Sequence, residues 1–478
     1  MNQQKGRGHM GVIKKAFITP HPPIAVHEVG KGEEAKAGAT VESFRRAAQE
    51  IGRLKPSTII VTTPHGPVFK DFVHINLKRT LVGDLSRFGA AGVKLGYENN
   101  LRLTGEIAKL ANSQGIPCGG LDNTLIAKYG ISEELDHGAL VPLYFINKVY
   151  DDFRLVHISV SGLPMKELYR FGGCIAKAVE QTNENVVFIA SGDLSHKLAP
   201  DGPYGFNECG PEFDGRLVDY LKIPDPEGLL GFDEGFLEEA AECGLRSFVM
   251  MFGALDGFEI KSEVYSYEGP FGVGYAVAEF RPEARLEGES LLDRLDRSEI
   301  EKLSEIRNTE DPYTALARKT LEMYVSSGTV ISVPDVLPEE MANRKAGVFV
   351  SIKKNGRLRG CIGTIIPARE NIAAEIIHNA ISAGTGDPRF DPVEEDELDS
   401  LVYSVDVLGD PEPVSSLAEL DVKRYGVIVR EGRRSGLLLP DLEGVNTPSE
   451  QVAIALQKAG IKQGEKYSME RFEVIRHK

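Results

Sequence analysis

The sequence predicts two consecutive folded units: a layered α/β/α half on a largely parallel or mixed sheet, then an α+β half on an antiparallel sheet. Three observations carry this. Short apolar runs alternate with helical stretches up to about residue 280, the pattern of a sheet covered by helices. A charged stretch with few large apolar residues follows, RPEARLEGESLLDRLDRSEIEKLSEIRNTEDP. Beyond it, strand-like segments recur at short spacing, two of them separated by Asn355-Gly356, a strong hairpin signal.

The elements follow in order. Residues 1–10 are polar and Gly-containing and read as a disordered tail. The first unit, 11–283, carries strands at 15–19, 58–62, 73–77, 154–159 and 186–191 and helices at 39–54, 99–114, 166–181 and 213–221. A strand at 262–267 and the segment 274–280 close it. Residues 284–309 read as a solvated, partly helical linker because charge signs alternate along them. The second unit, 310–478, opens with a helix at 313–326, and strands 347–353 and 358–364 flank the turn. A helix at 371–382, strands at 401–408, 426–430 and 435–439, and a helix at 449–460 complete it.

Composition bounds the function. A chain of 478 residues with 42% hydrophobic and 26% charged content has material for two cores. A net charge of -16 argues against a general nucleic-acid binder, which needs excess Lys and Arg. No run reaches the ~18 apolar residues of a membrane span, and no apolar signal core follows the N-terminus, so the expected address is the cytoplasm. Cys118, Cys174, Cys209, Cys243 and Cys361 are far apart with no CxxC. Neither a disulfide framework nor a structural zinc site is indicated, and all but Cys361 read as packed or idle thiols.

Five segments of the first unit place a histidine or acid just after a strand or in a Gly/Pro-rich turn: ITPHPP (His21), TTPHGPVF (His65), LDHGALVPL (His137), ASGDLSH (His196) and SYEGPFGVG (Glu268). Such loops hold ligands in α/β folds. Two imidazoles and one carboxylate on one side of a metal make a non-haem iron site with open positions. His21, His65 and Glu268 can supply that set if the fold brings their loops together. Taken singly, each is as readily a turn residue. His27 reads as a solvent or helix-start residue, His74 and His157 as strand residues, His378 as structural, and His9 and His477 as disordered termini.

Together these segments, above all DHG-x-x-VPL (136–142) and SGDLSH (191–196), resemble the class III extradiol dioxygenases, the protocatechuate ring-opening enzymes and their Memo-like relatives. The resemblance covers roughly 13–280. It implies His21, His65 and Glu268 as metal ligands, His196 as the active-site acid/base, and His137 as a second active-site histidine. Asp193 and Asp136 would orient neighbouring groups. It implies Fe(II), with zinc or another divalent metal as the alternative, and a dioxygenase-type oxidoreductase acting on a catecholic or other small aromatic substrate. A hydrolase or lyase of the same fold that does not use oxygen, and a non-catalytic metal-binding or redox-signalling module, are the rival readings.

In the second unit, LRGCIGT (358–364) and GDPRFDPV (386–393) resemble the AMMECR-type domain. Arg359, two residues from Cys361, shares its face on a strand and can lower a thiol pKa there. The favoured reading of Cys361 is nonetheless a small buried strand residue. Asp387 and Arg389 form a polar loop that binds a partner or caps elements. The fusion of the two halves resembles the AmmeMemoRadiSam system, which implies a radical S-adenosylmethionine partner protein. The sequence leaves the oligomeric state open, a homo-oligomer included.

Overall fold

The computed structural model describes residues 11–354, 356–442, 444–462 and 464–478. The predicted disordered tail with His9, and Asn355 of the predicted turn, lie outside the described residues. The chain divides after Arg297 into two compact units.

The first unit contains β1 (Val12–Thr19), α1 (Gly38–Leu54), β2 (Thr58–Thr63), α2 (His137–Asn147), β3 (Arg154–Ser159), α3 (Met165–Thr182), β4 (Asn185–Ser191), α4 (Leu245–Ala254), β5 (Phe258–Glu268) and β6 (Tyr275–Arg285). Its six-stranded sheet runs β3-β2-β4-β1-β6-β5. The first four strands are parallel; β6 and β5 add antiparallel. Along β4, Val186, Phe188 and Ala190 enter one core, while Val187 and Ile189 enter the other. That is the period-two alternation of a strand buried on both faces. Helices α3 and α4 cover the first core with Phe171 and Phe248. Helices α1 and α2 cover the second, where Phe44 stacks on Phe145 at 4.6 Å.

Two features differ from the sequence reading. The strand expected at 73–77 shortens to Val73–His74, paired with Cys118–Gly119 outside the main sheet. Asn76 turns its N–H to His157 O and its amide to Glu133 O, which ends the ladder there. A hairpin of Thr80–Leu85 with Ala90–Glu98, masked in the sequence by four glycines between 83 and 96, brings its tip Ser86–Phe88 near His137. The stretch read as a partly helical linker carries the helix α5 (Leu291–Thr309).

The second unit contains α6 (Pro312–Ser327), β7 (Val348–Lys354), β8 (Arg357–Gly363), α7 (Ile372–Thr385), β9 (Leu401–Leu408), β10 (Glu412–Val414), β11 (Tyr425–Glu431), β12 (Arg434–Leu438), α8 (Pro448–Ala459) and β13 (Ser468–His477). Its antiparallel sheet runs β8-β7-β9-β13-β11-β12, with β10 also on β13. Val348, Val350 and Ile352 of β7 pack against α6 and α7. Strand β13 escaped the sequence reading because charged residues interrupt its apolar alternation. His477, expected in a frayed terminus, sits in that strand. Its ring stacks on Tyr313 at 3.7 Å and its Nδ1 bonds the Asp311 carboxylate. Among the described residues no helix is long and apolar enough to cross a membrane.

Candidate metal centre

The site forms where the parallel strands end. His21 lies two residues past β1, His65 two past β2 and Asp193 two past β4, so the sheet itself brings the three loops together. His21 is buried, and its backbone N–H donates to Asp193 Oδ1 at 2.8 Å. Ser191 Oγ uses its one proton on Gly138 O at 2.6 Å. It must therefore accept at 3.0 Å from His21 Nδ1–H, which leaves His21 Nε2 as a bare lone pair. That lone pair stands 2.9 Å from His65 Nε2 and 3.7 Å from Cys243 Sγ.

Ligand atoms of His21, His65 and Cys243 all lie within 4.8 Å of one another. Two imidazole nitrogens this close, one fixed as a lone pair, need a proton or a cation between them. Two imidazoles and a thiol suit a transition metal or zinc. Burial holds the His21 imidazolium well below its ordinary range, with the His65 charge adding to the effect. Burial also lowers His65, against the opposing charges of Asp136 and Asp193. Both rings are therefore neutral, as metal ligands must be. Burial, then Asp193 and Glu242, push the Cys243 thiol up, so a bound cation would have to draw off its proton.

The expected third ligand, Glu268, is not in this group. At the end of β5 its Oε1 accepts from Thr40 N and Thr40 Oγ1, both at 2.6 Å. Thr40 is in the first turn of α1, where free N–H groups and the helix dipole attract a carboxylate. Cys243, which the sequence reads as an idle thiol, stands with His21 and His65 instead. It sits in AECGLRS, between the left-handed Ala241 (φ 51°) and the start of α4. A cysteine before glycine in a turn was the one available signal.

His137 is the first residue of α2, and Asp136 caps that helix. Asp136 Oδ1 accepts from Thr63 Oγ1 at 2.6 Å and Gly138 N at 2.8 Å; Oδ2 accepts from His157 Nε2 at 3.0 Å. Burial alone would raise this carboxyl, but the bond from His157 and its charge hold it well below the usual range. The glycine of DHG is required: a Cβ on Gly138 would stand 2.2 Å from Thr63 Oγ1. The His137 ring stacks on His65 at 4.1 Å, and Phe88 meets it in an edge contact at 5.1 Å. Burial, with His21 and His65, pushes His137 down to about 3. His157, read only as a strand residue, is fully buried and anchors Asp136. His74 is likewise buried, bonded to Glu133 at 3.1 Å.

His196 donates from Nδ1 to Ala241 O at 2.6 Å, which leaves Nε2 as the basic nitrogen of the neutral ring. Tyr204 meets the ring edge-on at 5.4 Å. A cavity of about 300 Å³ opens beside the centre, lined among others by His65, Arg87, Phe88, Asp136 and His137.

Residues 15–278 match the family described as the catalytic LigB subunit of aromatic ring-opening dioxygenase, and residues 314–477 match AMMECR1. Over 463 residues the chain is 48% identical to a protein of Clostridium acetobutylicum, covering 97% of this chain and 98% of that one. A protein of Thermotoga maritima is 52% identical over 171 residues, covering 35% of this chain and 98% of its own length. A solved uncharacterized protein from Escherichia coli K12 aligns at TM-score 0.39 and 16% identity over 56% of this chain and 99% of its own. One from Pyrococcus horikoshii aligns at TM-score 0.33 and 33% identity over 34% of this chain and 88% of its own. The chain belongs to the family of the catalytic LigB subunit of aromatic ring-opening dioxygenases, here joined to an AMMECR1 domain.

Proposed function

We propose that the first unit is a metal-dependent oxidoreductase acting on a small phenolic or catecholic substrate, with His21, His65 and Cys243 holding the cation. The observation that carries this reading is the convergence of their ligand atoms within 4.8 Å, next to a cavity of about 300 Å³, a volume that suits a small aromatic molecule. Three protein donors leave coordination positions open for substrate.

When bound, Fe(II), or zinc as the alternative, supplies Lewis acidity toward a phenolic oxygen, and iron adds one-electron chemistry. The rest falls to the chain. His196 Nε2 accepts the phenolic proton, and the Nδ1–H bond to Ala241 O steadies the imidazolium that results. His137 stays neutral and offers a hydrogen bond from the cavity wall. Phe88, standing against it, gives an aromatic ring an apolar edge to rest on. Asp136, fixed by His157 and Thr63, holds the start of α2 and so aims His137. Asp193 fixes the His21 backbone.

The thiol in place of a carboxylate favours one rival, a zinc-type hydrolase or lyase that needs no oxygen, because thiolate is a common zinc ligand. One experiment separates the readings. The protein is loaded with Fe(II) without air, given a panel of catechols, and then exposed to air. A yellow ring-opened product formed only with air supports the oxidoreductase. Turnover before air favours the rival. Tight metal binding with no turnover of any substrate would reduce the centre to a binding module.

A further inference from the structure

The two motifs of the second unit meet at an edge of its sheet. Strand β8, which carries RGC, is an end strand with β7 on one side. The other side of such a strand presents free N–H and C=O groups that invite another strand. In an antiparallel pair, facing residues alternate between exchanging both backbone bonds and exchanging neither, and side chains are closer in the second kind. Cys361 faces Ser351, and Ser351 Oγ lies 3.2 Å from Cys361 Sγ. The N–H and C=O of Cys361 therefore point away from β7, toward the open edge.

Both groups are taken by side chains. Cys361 N–H donates to Asp387 Oδ2 at 2.9 Å, and Arg389 Nη2 donates to Cys361 O at 3.2 Å. These are the two bonds a facing strand residue would make. Arg389 also locks Asp387 through Nε at 2.9 Å and Nη2 at 2.6 Å. Two residues back along β8, Arg359 reaches the same loop, donating to Asp391 O at 2.8 Å and Pro392 O at 3.3 Å, and forks onto Glu397 at 3.0 and 2.7 Å. Arg359 is thus directed at the loop, not at the Cys361 thiol as the sequence suggested. Gly360 lets α7 close in from below, since a Cβ there would stand 2.0 Å from Ala383 O.

We propose that loop 387–392 is a surrogate strand made of side chains, which closes the edge of β8 against strand addition by a second copy of the chain. Self-pairing fits the sequence of β8: antiparallel pairing about Cys361 sets Arg359 opposite Gly363 and Gly360 opposite Ile362, so no like charges face each other. The conspicuous motifs of this unit are then the two halves of one clasp.

Hydrogen exchange on the full chain tests the closure directly. The Cys361 amide should be protected like the amides of β7, and Asp387→Ala should speed its exchange at least ~10-fold while β7 stays protected. The double variant Asp387→Ala with Arg389→Ala should associate more than the unsubstituted chain at equal concentration. A short bis-maleimide should then link its copies through Cys361, and Cys361→Ser should abolish the link. Should the double variant not fold, Arg389→Ala, which keeps the bond to Cys361 N–H, goes through the same association measurement. Exchange of the Cys361 amide at the unprotected rate in the unsubstituted chain, or a folded clasp variant of unchanged size, overturns the proposal.

Discussion

The two units each gather polar residues around a cysteine, and they differ in what those residues have left free. Around Cys243 the hydrogen bonds of Ser191 and Asp193 leave ring nitrogens of His21 and His65 facing each other, with the thiol, which accepts from Asp193 N at 3.3 Å, beside them. Around Cys361 the groups of Asp387, Arg389 and Arg359 are satisfied by each other and by backbone. A distinctive motif reports a constraint; converging metal-ligating atoms report a candidate site. The second unit's motif is the more conspicuous in the sequence, and it is the one whose polar groups are already occupied.

Substitutions can break this comparison. The largest effect is expected at the centre. His21→Ala or Cys243→Ala should lower bound metal from about one equivalent to below ~0.1, because a three-donor site loses a ligand outright. Glu268→Gln should leave metal content unchanged, since that carboxylate serves Thr40. Elemental analysis of the purified variants decides between the two ligands, and the reverse pattern would restore Glu268. Next comes His196→Ala, expected to keep its metal and lose about 10²–10⁴ in turnover, the range of a general base. Unchanged turnover would remove His196 from the reaction.

Smaller effects sharpen the contrast. Asp387→Ala should cost about 1–3 kcal/mol in denaturant unfolding of the second unit, from the part-buried Cys361 N–H left without its partner. A loss under ~0.5 kcal/mol, within the usual range of a surface change, would mean the clasp adds little. The pH dependences should have opposite signs. In the second unit, Arg389 holds Asp387 well below the usual carboxylate range. Glu397 is lowered to about 2, Arg359 and Lys354 outweighing its burial. Their stabilisation is complete above the unfolded values near pH ~4 and is lost as pH falls through the folded ones. In the first unit, burial raises Asp214 to about 7 despite bonds from Ser195 N and Tyr267. Its contribution is complete below pH ~4 and is lost as pH rises toward 7. Unfolding free energies measured from pH ~4 to 7 should fall less steeply in Asp214→Asn; an unchanged slope would contradict the assignment.

Much of this was legible in the sequence. Short apolar runs within β1, β2, β3 and β4, alternating with helical stretches, marked the strands of a layered sheet, and Pro/Gly turns just after β1 and β2 marked His21 and His65. The proposed third donor was hardly legible. Cys243 comes from a turn between helices, and only packing of α4 against the sheet brings it to His21. Glu268 had the right chemistry at a strand end, but the start of α1, distant in sequence, claims its carboxylate. His157 looked like any strand residue because its partner, Asp136, meets it only in space. Strand β13 was hidden because its charged residues find partners across strands, as Arg476 does at Asp406.

X-ray absorption at the metal edge of protein purified without air tests the ligand assignment most directly. One sulfur neighbour at ~2.3 Å with nitrogen at ~2.0–2.1 Å is expected if zinc is the metal, and it should vanish in Cys243→Ser. A shell of nitrogen and oxygen alone in the unsubstituted protein would contradict the centre described here.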